Sequence, residues 1–212
     1  MPAIWHKIYK RSLQTVKTVI KYKGRKMIGG LILPILKARI TDESGVRRAL
    51  MRIAHEITEN NKGIDGVIVV GVKRRGITLG NIICDNLEKI EGIRPQMFEL
   101  DVTNYRDDLE KQQSRNAVAA LESSFDVNGK KVVIVDDVIY TGRTARAALE
   151  AIFSMGRPSK IQLAVLVDRG HRELPIRADY VGKTIPTSKN EIVKVNTGDF
   201  EGEFGIDLFE KE

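Results

Sequence analysis

The chain has 212 residues, of which 42% are hydrophobic and 30% are charged, a composition typical of a globular protein with one full hydrophobic core. A single cysteine, Cys84, excludes a disulfide within the chain, so we expect a cytoplasmic protein. We expect Cys84 itself to be a buried core residue. The net charge of +7 does not indicate a basic domain, because residues 1–39 carry ten basic and no acidic residues and leave 25 basic against 28 acidic residues elsewhere.

Residues 1–36 predict a basic N-terminal extension. The apolar run at residues 27–36 is too short to span a bilayer, and no small-residue cleavage site follows it. Three interpretations remain open: an arm that binds a membrane surface or nucleic acid, a weak targeting segment, or a misplaced start. We favour the third, because a well-formed domain begins directly afterwards. The predicted division is an extension at 1–36, disordered or misassigned, and one domain at 37–212.

The domain opens with a predicted helix. Residues 41–44 read Thr-Asp-Glu-Ser, a cluster of good N-cap residues. Apolar residues then recur at helical spacing from position 46 to position 57, and polar residues occupy the opposite face. The Asn-Asn-Lys-Gly sequence at residues 60–63 ends this helix.

Strands and helices alternate through the rest of the chain. Apolar runs predict strands at residues 67–72, 97–102, 132–135 and 161–167, and helical patterns cover residues 77–90 and 145–155. Residues 103–115 are polar without an apolar period, which predicts a mobile loop, and residues 180–206 predict short strands and turns. The order predicts an α/β fold with a largely parallel central sheet flanked by helices.

The most informative segment is residues 132–144, VVIVDDVIYTGRT. A buried strand leads to Asp136 and Asp137 at the edge where α/β proteins bind ligands. Two carboxylates there can accept hydrogen bonds from the vicinal hydroxyls of a ribose or help to hold Mg²⁺. The loop after them offers small hydroxyl and glycine residues and a helix N-terminus, which suit a phosphate group.

A second loop has complementary chemistry. Residues 73–76, Lys-Arg-Arg-Gly, follow the strand at 67–72, and their cations and backbone amides would suit a leaving group with several negative charges. A solvated turn is the alternative. The sequence contains neither a Walker A lysine loop nor a Gly-x-Gly-x-x-Gly turn, so it predicts no ATP or NAD site.

The segment at 132–144 resembles the signature of type I phosphoribosyltransferases that binds phosphoribosyl pyrophosphate (PRPP). Three further blocks, at residues 47–57, 105–109 and 167–180, resemble the family of bifunctional pyrimidine-operon attenuation regulators (PyrR). This resemblance runs from about residue 37 to residue 195. It implies a type I phosphoribosyltransferase fold with a small hood, control of transcription attenuation through binding to the leader of pyrimidine operon mRNA, and formation of UMP and pyrophosphate from uracil and PRPP.

The resemblance also implies roles for individual residues. Asp136 and Asp137 would hold the ribose hydroxyls, with Mg²⁺ accompanying PRPP, and they would act with Arg106 as the catalytic residues. Contacts to PRPP, to uracil or to the regulatory nucleotides UMP and UTP would come from Lys73, Arg74, Arg75, Gly76, Tyr105, Val138, Ile139, Tyr140, Thr141, Gly142, Arg143, Thr144, Arg169 and Val193. Tyr105 and Arg106 would lie on a loop that closes over the reacting groups, and Arg169 and Val193 would belong to the hood over the base.

The RNA contacts implied by the family would come from Arg48, Arg52, His55, His171, Arg172, Arg177 and Lys183. The alternative is a solvated helix face with internal ion pairs. The chain departs from the family pattern at Met51 and Asn60, which often are threonine and arginine, and at Arg74, which often is threonine.

The family implies a homodimer or a larger homo-oligomer, and no membrane partner is expected. A purine or orotate phosphoribosyltransferase without RNA binding is the alternative function. Tyr140 argues against a purine substrate, because related purine enzymes often carry an aspartate there.

Overall fold

The computed structural model describes residues 20–22, 25–28, 31–32, 34–105, 125–198 and 203–210. Within the predicted extension, three short strands, β1 (Ile20–Tyr22), β2 (Arg25–Ile28) and β3 (Leu31–Ile32), form an antiparallel sheet in that order. The next strand, β4 (Ile35–Asp42), was not predicted and begins two residues before the predicted domain boundary.

The centre of the domain is a five-stranded sheet in which all neighbouring strands run parallel. Its spatial order is β6-β5-β7-β8-β9. The strands are β5 (Val67–Val72), β6 (Gln96–Leu100), β7 (Lys131–Ile139), β8 (Lys160–Asp168) and β9 (Tyr180–Thr184). The predicted α/β fold with a largely parallel sheet is confirmed.

In the described part of the chain, three helices cover the two faces of this sheet: α1 (Glu43–Asn61), α2 (Arg75–Glu91) and α3 (Arg143–Met155). The Asp42 carboxylate caps α1 by accepting the Gly45 amide at 2.9 Å, in the predicted N-cap cluster. Helices α1 and α2 pack on one face, against Val133 and Val135 of β7, and α3 packs on the other, against Val132 and Ile134. Every residue of β5 is buried, as its continuous apolar run predicts.

A small antiparallel sheet forms the hood. Its order is β10-β11-β4, with β10 (Glu191–Asn196) and β11 (Gly205–Glu210). Side chains of β10 and β11, including Val193 and Ile206, join the core cluster that α1 and α2 form with the central sheet. The hood is therefore packed onto the same domain. No helix in the described part of the chain is long and apolar enough to cross a membrane.

Two predicted boundaries need correction, on either side of the loop between β7 and α3 that is expected to bind phosphate, here called the phosphate loop. The predicted strand at 132–135 continues through both aspartates to Ile139, and α3 begins at Arg143 instead of residue 145. The strand continues because β8 runs beside it, with Asp136 opposite Val165 and Ile139 opposite Asp168. Backbone pairing with a neighbouring strand outweighs the low strand propensity of aspartate. The loop proper is therefore only three residues, Tyr140 to Gly142.

Candidate functional site

A cavity of about 350 Å³ opens at the carboxyl end of β7. It brings together eight of the residues predicted to bind the phosphoribosyl group. Its lining is Asp136, Val138, Ile139, Tyr140, Thr141, Gly142, Arg143, Thr144, Ala145, Leu163, Val165 and Glu173. The position at the end of a central parallel strand is where the sequence predicts the ligand.

The two aspartates point to opposite faces of β7, because side chains alternate along a strand. Asp136 lines the cavity on the α3 side. Asp137 faces the α2 side, where one of its carboxylate oxygens lies 3.6 Å from a guanidinium nitrogen of Arg75. Each carboxylate also accepts the backbone amide of the following residue at 2.9 Å. The acid pair therefore bridges the two loops instead of forming one chelating group.

The phosphate loop ends at the N-terminus of α3. Gly142 precedes the helix with φ of 94°, a conformation that a side chain would strain. No side chain caps this helix end, and its first turn contains no acidic residue. The partial positive charge of the helix N-terminus is therefore directed at the cavity, as anion binding requires.

The second loop lies against strand β7. A β-carbon built on Gly76 would be 2.3 Å from the Val135 carbonyl oxygen, so only glycine lets the loop pass this close to β7. Helix α2 begins here, at Arg75, again without an acidic residue in its first turn. The Lys73–Arg74 peptide is cis, and the side chains of Lys73 and Arg74 are exposed.

Lys73 has an acidic neighbour at the end of β6. Its ammonium nitrogen lies 3.8 Å from a carboxylate oxygen of Asp101. Burial alone would raise the pKa of Asp101, but hydrogen bonds from Thr103 and the charge of Lys73 lower it overall. Asp101 is therefore ionised at neutral pH and holds Lys73 at the edge of the site.

Arg169 connects the cavity to the hood. It is 6% exposed, and its guanidinium donates to the carbonyl of Glu191 at 2.7 Å and to the Thr187 hydroxyl at 3.2 Å. The same guanidinium lies over the Tyr140 ring, 4.2 Å from its centroid. Desolvation on burial lowers the pKa of Arg169 from its ordinary value, but the group remains cationic at any physiological pH.

The segment that follows β8, residues 169–178, wraps around the phosphate loop. The amides of Glu173 and Leu174 both donate to the Thr141 carbonyl, at 2.9 Å and 3.1 Å. The Glu173 carboxylate accepts from Nε and Nη2 of Arg143, at 3.0 Å and 2.9 Å. Glu173 was not predicted as a site residue, because nothing in its local sequence marks a contact with a loop thirty residues earlier.

The residues predicted to contact RNA fall into two groups. Arg48 and Lys183 line one hollow of about 240 Å³ between α1 and β9. Arg52 lies close by, since its guanidinium donates to the carbonyls of Val181 and Gly182 at 2.9 Å and 2.8 Å. His55 is exposed on the same helix.

The second group lies on the segment at 169–178. The His171 ring packs edge-on to Tyr140, with ring centroids 6.0 Å apart, and its Nε2 is 2.5 Å from the Thr187 carbonyl oxygen. Arg177 is exposed. Arg172, in contrast, turns its guanidinium inward, toward the carbonyls of Ile139 and Tyr140.

Three further predicted site residues lie in the hood core, in a short 3-10 helix or outside the described residues. Val193 is buried in the hood core and does not line the cavity. Tyr105 closes a short 3-10 helix (Thr103–Tyr105), and its carbonyl accepts from Nη2 of Arg146 at 2.6 Å. Arg106 and most of the predicted mobile loop lie outside the described residues.

Comparison with known proteins identifies the fold and the family. Residues 38–199 match the phosphoribosyl transferase domain family. Hypoxanthine phosphoribosyltransferases from Trypanosoma cruzi and Staphylococcus aureus superpose with TM-scores of 0.62 and 0.63 at 19% sequence identity. The first superposition covers 84% of this chain and 98% of the other, and the second covers 82% and 93%. At this identity the likeness concerns the fold alone.

The sequence relatives are much closer. The protein described as "Bifunctional protein PyrR" from Clostridium acetobutylicum is 54% identical over 175 residues, which are 82% of this chain and 98% of that protein. The protein of the same description from Thermus aquaticus is 53% identical over 176 residues, or 83% of this chain and 97% of that one. The chain belongs to the phosphoribosyltransferase superfamily and, within it, to the PyrR family.

Proposed function

We propose that the chain is a uracil phosphoribosyltransferase that also binds the leader of pyrimidine operon mRNA under the control of uridine nucleotides. The observation that carries the proposal is the family match at 54% identity over 82% of the chain. The geometry supports it independently, because two helix N-termini without acidic residues in their first turns flank the Asp136–Asp137 pair at one edge of the sheet.

PRPP fits this edge with its two charged ends on opposite faces of β7. The cavity beside α3 would take the 5-phosphate, on the amides and hydroxyls of residues 141–144. Asp136 and Asp137 would accept the two ribose hydroxyls. The pyrophosphate would lie on the α2 side, against Lys73, Arg74, Arg75 and the backbone of Gly76.

The donor set fits a magnesium ion that arrives with its substrate. Among the described residues, no three histidine, cysteine, aspartate or glutamate side chains converge as a metal site. Mg²⁺ commonly takes one or two carboxylates and completes its shell with substrate phosphates and water. Asp136 and Asp137 would hold it indirectly, through the ribose hydroxyls, and the ion would offset the charge of the departing pyrophosphate.

The protein would then catalyse the reaction by positioning the substrates and by stabilising the charge on the leaving group. The bond between C1 of the ribose and pyrophosphate breaks as uracil N1 bonds to C1, with loss of the N1 proton. The cations of residues 73–75 would stabilise the charge that develops on pyrophosphate. The acid pair would fix the ribose so that C1 faces the incoming base. Tyr105 and Arg106 would belong to the segment that closes over these groups and excludes water.

The base would lie under the hood. Arg169 contacts both the Tyr140 ring and the carbonyl of Glu191, so it links the phosphate loop to the hood strand β10. Val193 would contribute to the base site from the same strand, through its backbone or through its packing in the hood core.

RNA binding would use the basic residues around α1 and β9 together with the segment at 169–178. Arg48, Arg52, His55 and Lys183 form the first part, and His171 and Arg177 the second. Arg172 lies between these last two, with its guanidinium turned inward. Such side chains contact phosphates and unstacked bases of single-stranded RNA. We propose that the protein is cytoplasmic and that it forms a homodimer or a larger homo-oligomer.

An activity assay tests the enzymatic half of the proposal. Purified protein is supplied with PRPP, Mg²⁺ and one base at a time: uracil, hypoxanthine or orotate. The expected result is UMP and pyrophosphate from uracil alone. Nucleotide formed from hypoxanthine or orotate but not from uracil would contradict the proposed substrate and favour the alternative function.

Gel shifts test the regulatory half. A labelled pyrimidine operon leader is titrated with the protein at several salt concentrations, with and without UMP. We expect UMP to tighten binding, with a log–log salt slope that reflects released counterions. Binding that is equally strong to unrelated RNA and insensitive to UMP would contradict regulation.

A further inference from the structure

The Arg172 guanidinium contacts backbone carbonyls at the end of β7, in the phosphate loop and in its own segment. Its Nη1 donates to the Tyr140 carbonyl at 2.8 Å and lies 3.4 Å from the Ile139 carbonyl oxygen and 3.2 Å from that of Gly170. Its Nε donates to the Ile176 carbonyl at 3.0 Å. The side chain is only 19% exposed.

The charge of Arg172 is balanced within the same cluster. Its Nη2 donates to a carboxylate oxygen of Asp168 at 2.6 Å, and the other oxygen accepts the Gly170 amide at 2.9 Å. A guanidinium has five N–H hydrogens, one on Nε and two on each terminal nitrogen. These acceptors account for all but one of them. Arg172 therefore has little capacity left for an RNA phosphate.

The acceptors lie where they can set the geometry of the phosphate loop. Ile139 is the last residue of β7 and Tyr140 the first of the loop, so a donor shared by their carbonyls fixes the direction in which the chain leaves the strand. At Thr141, the next residue of the loop, the carbonyl accepts hydrogen bonds from the amides of Glu173 and Leu174. Together these bonds fix the backbone of the loop that lines the cavity.

We infer that Arg172 is a positioning residue for the nucleotide site, and that it supports RNA binding by holding the phosphate loop and the segment at 169–178 in one arrangement. The inference rests on the proposed function. The role of Arg172 would differ from that of Arg177, which is exposed on the same segment and can contact RNA directly. The binding of a uridine nucleotide and the binding of RNA would then be coupled through the guanidinium of Arg172.

The first experiment compares Arg172→Lys and Arg172→Ala with Arg157→Ala, an exposed arginine beyond the end of α3. Lysine keeps the charge but cannot bridge acceptors on several sides. We expect the KM for PRPP and the dissociation constant for UMP to rise by about tenfold in Arg172→Ala and by less in Arg172→Lys, since small displacements of binding groups are costly. Arg157→Ala should behave like the unsubstituted protein.

The division between KM and kcat separates positioning from general destabilisation. A variant that merely unfolds in part loses active molecules, so kcat falls while KM stays constant. A misplaced phosphate loop raises KM in molecules that remain folded, which thermal unfolding curves will verify. Unchanged KM and UMP affinity in folded Arg172→Lys and Arg172→Ala would overturn the inference.

The second experiment measures RNA binding against salt with UMP at saturation. Loss of a direct phosphate contact lowers the log–log salt slope by about one, the change expected for Arg177→Ala. Arg172→Ala should weaken binding and leave the slope unchanged, and a slope that falls as in Arg177→Ala would overturn the inference. Failure of the unsubstituted protein to bind UMP or to form it from uracil would instead refute the proposed function, so the two failures are distinguishable.

Discussion

Gly76 and Val135 approach so closely that a β-carbon on Gly76 would lie 2.3 Å from the Val135 carbonyl oxygen. This contact joins the start of α2 to β7 and fixes the distance between the two loops of the site. Neither partner can yield easily, because the obstructing atom belongs to the backbone of a central strand.

Gly76→Ala should therefore displace the second loop. We expect a loss of about 1–3 kcal/mol in the free energy of unfolding, as for other overpacked sites, and a raised KM for PRPP. Gly80→Ala is the control. The atom nearest to its β-carbon is the flexible end of Met97 at 3.0 Å, the others lie at 3.6 Å and 3.8 Å, and alanine favours a helix. Urea unfolding and steady-state kinetics measure both effects. Equal behaviour of the two variants would contradict the close approach.

Asp137→Asn should reduce turnover, because the neutral amide is a weaker acceptor for a ribose hydroxyl and no longer pairs with Arg75. A hydrogen bond to a charged group contributes about 1.5–3 kcal/mol, which corresponds to roughly 10- to 150-fold in kcat/KM. Asp85→Asn, on the exposed face of α2, is the matched control. Kinetics unchanged by Asp137→Asn would refute the role assigned to it.

Glu173→Gln should strengthen nucleotide binding. The Glu173 carboxylate lines the cavity and pairs with Arg143, so it opposes a phosphate placed there. An exposed pair of this kind is worth up to about 1 kcal/mol, and we expect UMP to bind roughly two- to fivefold more tightly. Glu150→Gln removes the similarly exposed partner of Arg146 on the same helix and should have no effect. Weaker UMP binding in Glu173→Gln would show that Glu173 assists phosphate binding instead.

Cys84 should make stability decrease at high pH. Burial raises the pKa of its thiol from the ordinary value of 9.0 to about 12. The folded state therefore binds this proton more tightly than the unfolded state, so the contribution is complete below pH 9 and is lost as pH rises toward 12. Between about pH 8 and about pH 10, the unsubstituted protein should lose about 1 kcal/mol more than Cys84→Ala in urea unfolding. Parallel pH dependence in the two proteins would contradict a buried, protonated thiol.

The sequence predicts the elements around the candidate site where its signals are local. The strand at the centre of the sheet, the acid pair and the glycine before α3 are consecutive in the chain, and each has a residue pattern with a physical cause. The confirmed parallel sheet follows from the same alternation of buried runs and amphipathic helices. The error at the end of β7 arose because backbone pairing with β8 depends on a partner that the local pattern does not reveal.

Contacts between distant segments were beyond such reasoning. The bond from Arg172 to the Tyr140 carbonyl joins residues 32 positions apart, and neither residue belongs to a periodic pattern that would pair them. Arg172 therefore resembles any other basic residue of a polar segment until the fold is known. Strand β4 was missed for a related reason, since its exposed and half-buried positions do not alternate regularly.

Titration calorimetry with UMP and with PRPP, each in the presence of Mg²⁺, tests the central claim most directly. We expect one site per chain for either ligand, with binding that is weakened in Gly76→Ala and strengthened in Glu173→Gln. No heat of binding from either ligand, with a folded protein and across a range of temperatures, would contradict a phosphoribosyl site at the end of β7.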